Sequence, residues 1–166
     1  LTLQSVTGRV VGRTLAGGFE FQTRNLRFET SDGLVWPGGN VHLVYQAGEG
    51  KKPTLGEFHA DRLDLAVLGQ LASRLPLGTS THAMLAKHPA SGVLEKVEAR
   101  WQGPWGALQR YEVRVNGRDL ELRARAADFR ETGGVPAPGY PGFRGARVDL
   151  VLNEGGGQIR FDIANG

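Results

Sequence analysis

The sequence contains no cysteine and only one methionine. Without cysteine there are no disulfides, no thiolate chemistry, and no Cys-ligated zinc or iron–sulfur site. Long apolar runs are missing too. No stretch approaches the ~20 residues that span a bilayer, and no signal-peptide pattern is present. Charge of one sign is scarce: 20 basic side chains stand against 17 acidic ones, a net charge of +3. Lys51-Lys52 is the one basic cluster, so nucleic acid is not an expected partner.

Glycine, by contrast, is abundant, with 25 among 166 residues. Glycines at short intervals predict many turns, hence many short strands. Apolar residues make up 40% and charged residues 22%, an ordinary globular balance that does not suggest disorder. The length fits one domain with a sizeable core.

Period-two alternation dominates the chain. Phe19 and Phe21 oppose Glu20, Gln22 and Arg24, and Leu26 and Phe28 alternate with Arg27 and Glu29. Val41, Leu43 and Tyr45 alternate with His42, Val44 and Gln46. Val93, Val97, Ala99 and Trp101 oppose Leu94, Lys96, Glu98 and Arg100, with Glu95 interrupting the first face. Val113 and Val115 oppose Glu112, Arg114 and Asn116, and Leu120 and Leu122 oppose Glu121 and Arg123. Leu150 and Leu152 oppose Asp149, and Ile159, Phe161 and Ile163 oppose Arg160 and Asp162. Gly17-Gly18, Asn116-Gly117 and Asn153–Gly157 supply hairpin turn chemistry. Gly48–Pro53 and the proline-bearing Gly133–Gly142 stretch read as loops.

One region has a different period. Leu65, Leu68, Leu71 and Ala72 recur at helical spacing, with Asp64 placed as N-cap. A second short helix is predicted over Ser80–Lys87, stopped by Pro89. The expected fold is therefore mainly β, a single unit over 1–166. It is an antiparallel meander forming a curved, groove-like sheet, with two short helices in a middle insert of about 64–88.

A sheet with one apolar face must cover it. A closed sandwich or barrel does so with a second layer. An open, curved sheet does so with lipid, a partner or neighbouring sheet. The chain starts strand-like at Leu1-Thr2-Leu3 without an initiator methionine, and it stops at Asn165-Gly166, a turn dipeptide. These ends are read as those of a segment excised from a longer chain.

Catalytic and metal motifs are missing: there is no HExxH, GxSxG, P-loop or GxGxxG pattern. Neither an enzyme activity nor a cofactor is expected. His59 and Asp61, two apart on a predicted strand, are the nearest approach to a metal pair, and a solvated pair is the simpler reading. Trp101, Trp105 and Tyr140 offer a carbohydrate-binding alternative by stacking, although core anchoring is the commoner role of Trp.

The ordered motifs resemble a family. Phe58–Leu71 carries an A-x-x-L-D-L strand end leading into a helix, followed by Leu75-Pro76. Pro89-Ala-Ser-Gly-Val-Leu is similar to P-x-G-x-L with one residue more, Trp101–Gly103 gives W-x-G, and Tyr111–Val113 fits Y-x-V/L. A proline-rich crossing at Pro136–Gly142 leads into G-x-x-G-x-x-x-x-L at Gly142–Leu150 and a glycine turn at Gly155–Gly157. Asn25-Leu26 and Trp36-Pro37 match the upstream strand pair. The pattern, over residues 19–166, is similar to the AsmA-like, YhdP-type bacterial envelope proteins related to TamB.

The resemblance implies a periplasmic protein anchored in the inner membrane by a helix outside this segment. Its apolar β-groove would carry phospholipid between the inner and outer membranes, without catalytic residues. The partners so implied are phospholipid acyl chains and neighbouring segments of the same longer chain. The candidate lipid-facing residues are Phe19, Phe21, Val113, Val115, Leu120, Leu122, Leu150, Leu152, Ile159, Phe161 and Ile163. A closed β-sandwich serving as a protein-interaction module would show the same alternation.

Overall fold

Hairpin chemistry and alternation produce ten strands and one helix in the computed structural model, which describes residues 2–74, 90–104, 107–124, 139 and 141–165. In chain order they are β1 (Leu3–Leu15), β2 (Gly18–Thr30), β3 (Val35–Trp36), β4 (Val41–Gln46), β5 (Leu55–Ala60) and β6 (Leu63–Asp64), then α1 (Leu65–Arg74), β7 (Ala90–Gln102), β8 (Arg110–Leu122), β9 (Phe143–Asn153) and β10 (Gly156–Asn165). All ten strands belong to one antiparallel sheet, ordered β1-β2-β4-β5-β7-β8-β9-β10, with β3 beside β2 and β6 beside β7. The sheet is curved and does not close into a barrel. Among the described residues there is no second sheet of the kind the sandwich alternative requires. The predicted helix at Ser80–Lys87, Trp105, Tyr140 and most of the Gly133–Gly142 loop lie outside the described residues.

Two predicted hairpins form where expected. Ala16 and Gly17 link β1 to β2, with Gly17 at φ 72°, and Glu154-Gly155 links β9 to β10. The third does not: Asn116-Gly117 sits in the middle of β8, paired with Asp149 and Val148 of β9. Its glycine serves packing instead. A Cβ at Gly117 would lie 2.9 Å from a Leu120 methyl and 3.3 Å from a Leu94 methyl.

The long strands also contain bulges that periodicity alone does not reveal. The β1–β2 register gains a residue on β2 between Arg24 and Arg27, where Asn25 has φ 49°. On β7 the extra residue is Glu95, between Leu94↔Gly117 and Lys96↔Asn116. On β8 the shift falls beside Asp119, with φ 52°, and on β9 beside Gly145, with φ 67°. The bulge at Glu95 corrects the face assignment of two residues. Leu94, not Val93, packs with Val97 in the core, because an inserted residue reverses alternation beyond it.

β4 and β5 have 6 residues each, whereas β2 and β7 have 13. Beyond Val41 and Ala60 the space between β2 and β7 is taken by β3, β6 and α1. Asp64 caps the helix as predicted, its Oδ1 accepting the Val67 N–H at 3.0 Å. Arg74 at the other end donates to Asp32 at 2.7 Å. Val67 and Leu68 pack onto a core of Trp36, Ala60, Leu63 and Val97. Trp36 stacks on Phe28 with ring centroids 6.0 Å apart.

Candidate functional site

The register carries one apolar face across the sheet. Phe21, Leu43, Phe58, Ala99, Val113 and Leu152 form one transverse row from β2 to β9. Thr23, Val41, Ala60, Val97, Val115 and Leu150 come next, since each lies two residues along its strand from the first row, and Ile159 joins them by pairing with Leu150. Phe19 pairs with Tyr45 in a third row, toward Trp101 and Tyr111.

All eleven candidate residues fall on this face. Phe19, Phe21, Val113, Val115, Leu150, Leu152 and Ile159 lie in the three rows, and Phe161 pairs with Val148. Leu120 and Ile163 both pair with Ala146. Leu122 pairs with Phe143, whose ring meets Phe161 edge-on at 6.5 Å. What differs along the face is cover. Ala60 and Ala146 are fully buried, whereas Phe19 is 44%, Ile159 51% and Phe161 55% exposed.

The α1 end of the face is covered; the opposite end is an open trough of about 640 Å³. Phe19, Leu43, Tyr45, Phe58, Ala99, Trp101, Leu108, Tyr111 and Val113 line it together with Arg100, whose guanidinium pairs with Glu57 on the other face. Phe19 and Tyr45 stack at 5.7 Å. Its floor is deepened at Gly56, where a Cβ would come within 2.0 Å of the Trp101 indole. The indole therefore lies over bare backbone, and its Nε1 is buried, consistent with an anchoring role.

Besides Arg100, seven of these lining residues are not among the eleven candidates. Leu43, Tyr45, Ala99, Trp101 and Tyr111 lie in strands whose alternation is plain, and pairing with Phe19 and Val113 is what selects them. Phe58 stands in β5, whose six residues alternate poorly. Leu108 sits outside any strand and shows no signal in sequence.

The other face is charged. Glu20 accepts hydrogen bonds from Arg13 and pairs with His42 Nε2 at 2.9 Å. Those bonds, His42 first and Arg13 second, hold the Glu20 carboxyl below the usual range. Arg100 pairs with Glu57 at 3.3 Å and Lys96 with Glu98 at 3.2 Å. Exposed pairs of this kind add little stability each, but they keep this face hydrated.

His59 and Asp61 are not brought together. β5 ends at Ala60, and Asp61 accepts hydrogen bonds from the Asn40 backbone and side chain. His59 lies 3.9 Å from Glu98 instead. Among the described residues, no group of three or more His, Asp or Glu side chains is placed to hold a metal. No described helix is long and apolar enough to cross a membrane. The chain matches no family model, no curated protein and no solved structure.

Proposed function

We propose that this chain is a segment of a periplasmic envelope protein whose apolar β-groove carries phospholipid acyl chains between the inner and outer membranes. On this reading the full-length protein is held in the inner membrane by a part outside the segment, and neighbouring segments extend the groove. The role is conveyance, with no chemistry on the cargo.

The carrying observation is the trough together with the apolar face leading away from it. Burying one large apolar side chain contributes roughly 1.5–3 kcal/mol. Half-exposed Phe19, Ile159 and Phe161 therefore leave favourable burial unrealised, and extended apolar surfaces of this kind mark ligand grooves or interfaces. Hydrocarbon gains by lying there and meets no charged side chain along the face. The motifs similar to AsmA-like proteins support the periplasmic setting.

The test is mass spectrometry of lipid co-purifying with the chain from bacteria. Wild type is expected to retain phospholipid. Phe19→Asp and Phe161→Asp, at exposed positions, are expected to keep the wild-type circular dichroism and lose most of the phospholipid. Lipid-free wild type, or full lipid content in both folded variants, overturns the proposal.

A further inference from the structure

The β10 edge has an order of residues that complements itself. Among the described residues it is the last strand of the sheet, paired on one side only. The hairpin closes on Asn153↔Gly156 around two turn residues, which makes that pair one that exchanges N–H···O bonds. Counting along the strand in twos, Gln158, Arg160 and Asp162 bond toward β9. Ile159, Phe161 and Ile163 turn their N–H and C=O groups to the free edge.

We infer that β10 pairs with β10 of a second copy, antiparallel and centred on Phe161, joining two apolar faces into one. Centring there sets Phe161 against Phe161 of the second copy and Ile159 against its Ile163. All three residues have outward backbone groups, so the ladder bonds are available. These side chains are 55%, 51% and 43% exposed in the single chain. In an antiparallel pair directly opposite residues share a face, so the apolar surfaces are continuous.

The charged face agrees with the same register. Arg160 falls opposite Asp162 of the second copy, and Asp162 opposite its Arg160. Within the chain Arg160 already faces Asp149, and Asp162 faces Arg147. The signs therefore alternate across the junction: Arg147, Asp162, then Arg160 and Asp149 of the second copy. The β1 edge lacks this property. It carries Arg9 and Arg13 and no acidic residue, and self-pairing centred on Val11 sets arginine against arginine. Long apolar edges invite pairing unless charge or proline blocks it, and β10 has no proline. A two-fold pairing of this kind is closed.

This inference does not depend on bound lipid, and it places neighbouring segments of the proposed longer chain at the β1 edge, since β10 cannot pair with both; its test is association of the purified chain, followed by sedimentation velocity. Wild type is expected to form dimers. Arg160→Asp and Asp162→Arg each set like charges opposite one another twice, and each alone is expected to raise the dimer Kd about tenfold or more. An equimolar mixture of the two variants restores both opposite-sign pairs and is expected to associate as wild type does. Val10→Lys on β1 is expected to change nothing. If either charge variant loses its β-sheet circular dichroism, Phe161→Lys takes its place and is expected to give monomers. A monomeric wild type, a mixture no tighter than its components, or loss of association through Val10→Lys overturns the inference. The last outcome, or binding of β10 by another strand of the same polypeptide, assigns the edge a different partner.

Discussion

Two parts of one apolar face differ in what lies over them. In the corner between β2 and β7, α1 and the short β3 and β6 bury Trp36, Leu63 and Val97 to 8% exposure or less. On the β8–β10 wing the same face continues through Leu150, Ile159 and Phe161, and no described residue covers its outer strand. The strand chemistry is alike in both. The difference comes from the six-residue β4 and β5, which leave a notch that a helix fills. An apolar face is thus core or binding surface according to what the connections place on it.

The comparison breaks most easily at Trp36. Trp36→Ala is expected to cost about 3–5 kcal/mol in urea unfolding; a loss under about 1 kcal/mol would show that the covered corner is not the core. Gly56→Ala pushes a Cβ into the Trp101 indole and is expected to cost about 1–3 kcal/mol, with a shifted tryptophan emission spectrum. An unchanged spectrum would mean the trough floor yields freely. Asp64→Ala removes the α1 cap and is expected to cost about 1 kcal/mol, while Asp64→Asn retains most of it. Phe161→Ala on the bare wing is expected to cost about 1 kcal/mol or less, well below Trp36→Ala in the same assay.

The smallest effect concerns pH. The Thr30 hydroxyl, and then Arg74, hold the Asp32 carboxyl below its ordinary value of 3.8. A depressed carboxyl stabilises the fold above that value, and the contribution fades as pH falls through the lowered one. Acid titration followed by far-ultraviolet circular dichroism is expected to show α1 loosening below about 3.8, and Asp32→Asn is expected to remove that phase.

Alternation made the sheet and its apolar face legible in the sequence, and Asp64 with the leucine spacing made α1 legible. The bulge at Glu95 was not, because an extra residue looks like noise in a period-two pattern until its partner strand is known. Asn116-Gly117 misled because turn propensity is local, whereas Leu94 and Leu120 compete for the space above that glycine. The trough needed pairing information: Leu43, Ala99 and Tyr111 come together only through register. Leu108 comes from a loop.

The bulges have a consequence for how such a chain tolerates change in length. Along a strand, membership of a face is a matter of odd and even, and each bulge at Asn25, Glu95, Asp119 and Gly145 resets the count. Deleting Glu95 alone would turn Leu94 out of the core and Val93 into it. Insertions or deletions of two residues leave the count intact. The sheet therefore works like a parity code, in which single errors are conspicuous and paired ones pass.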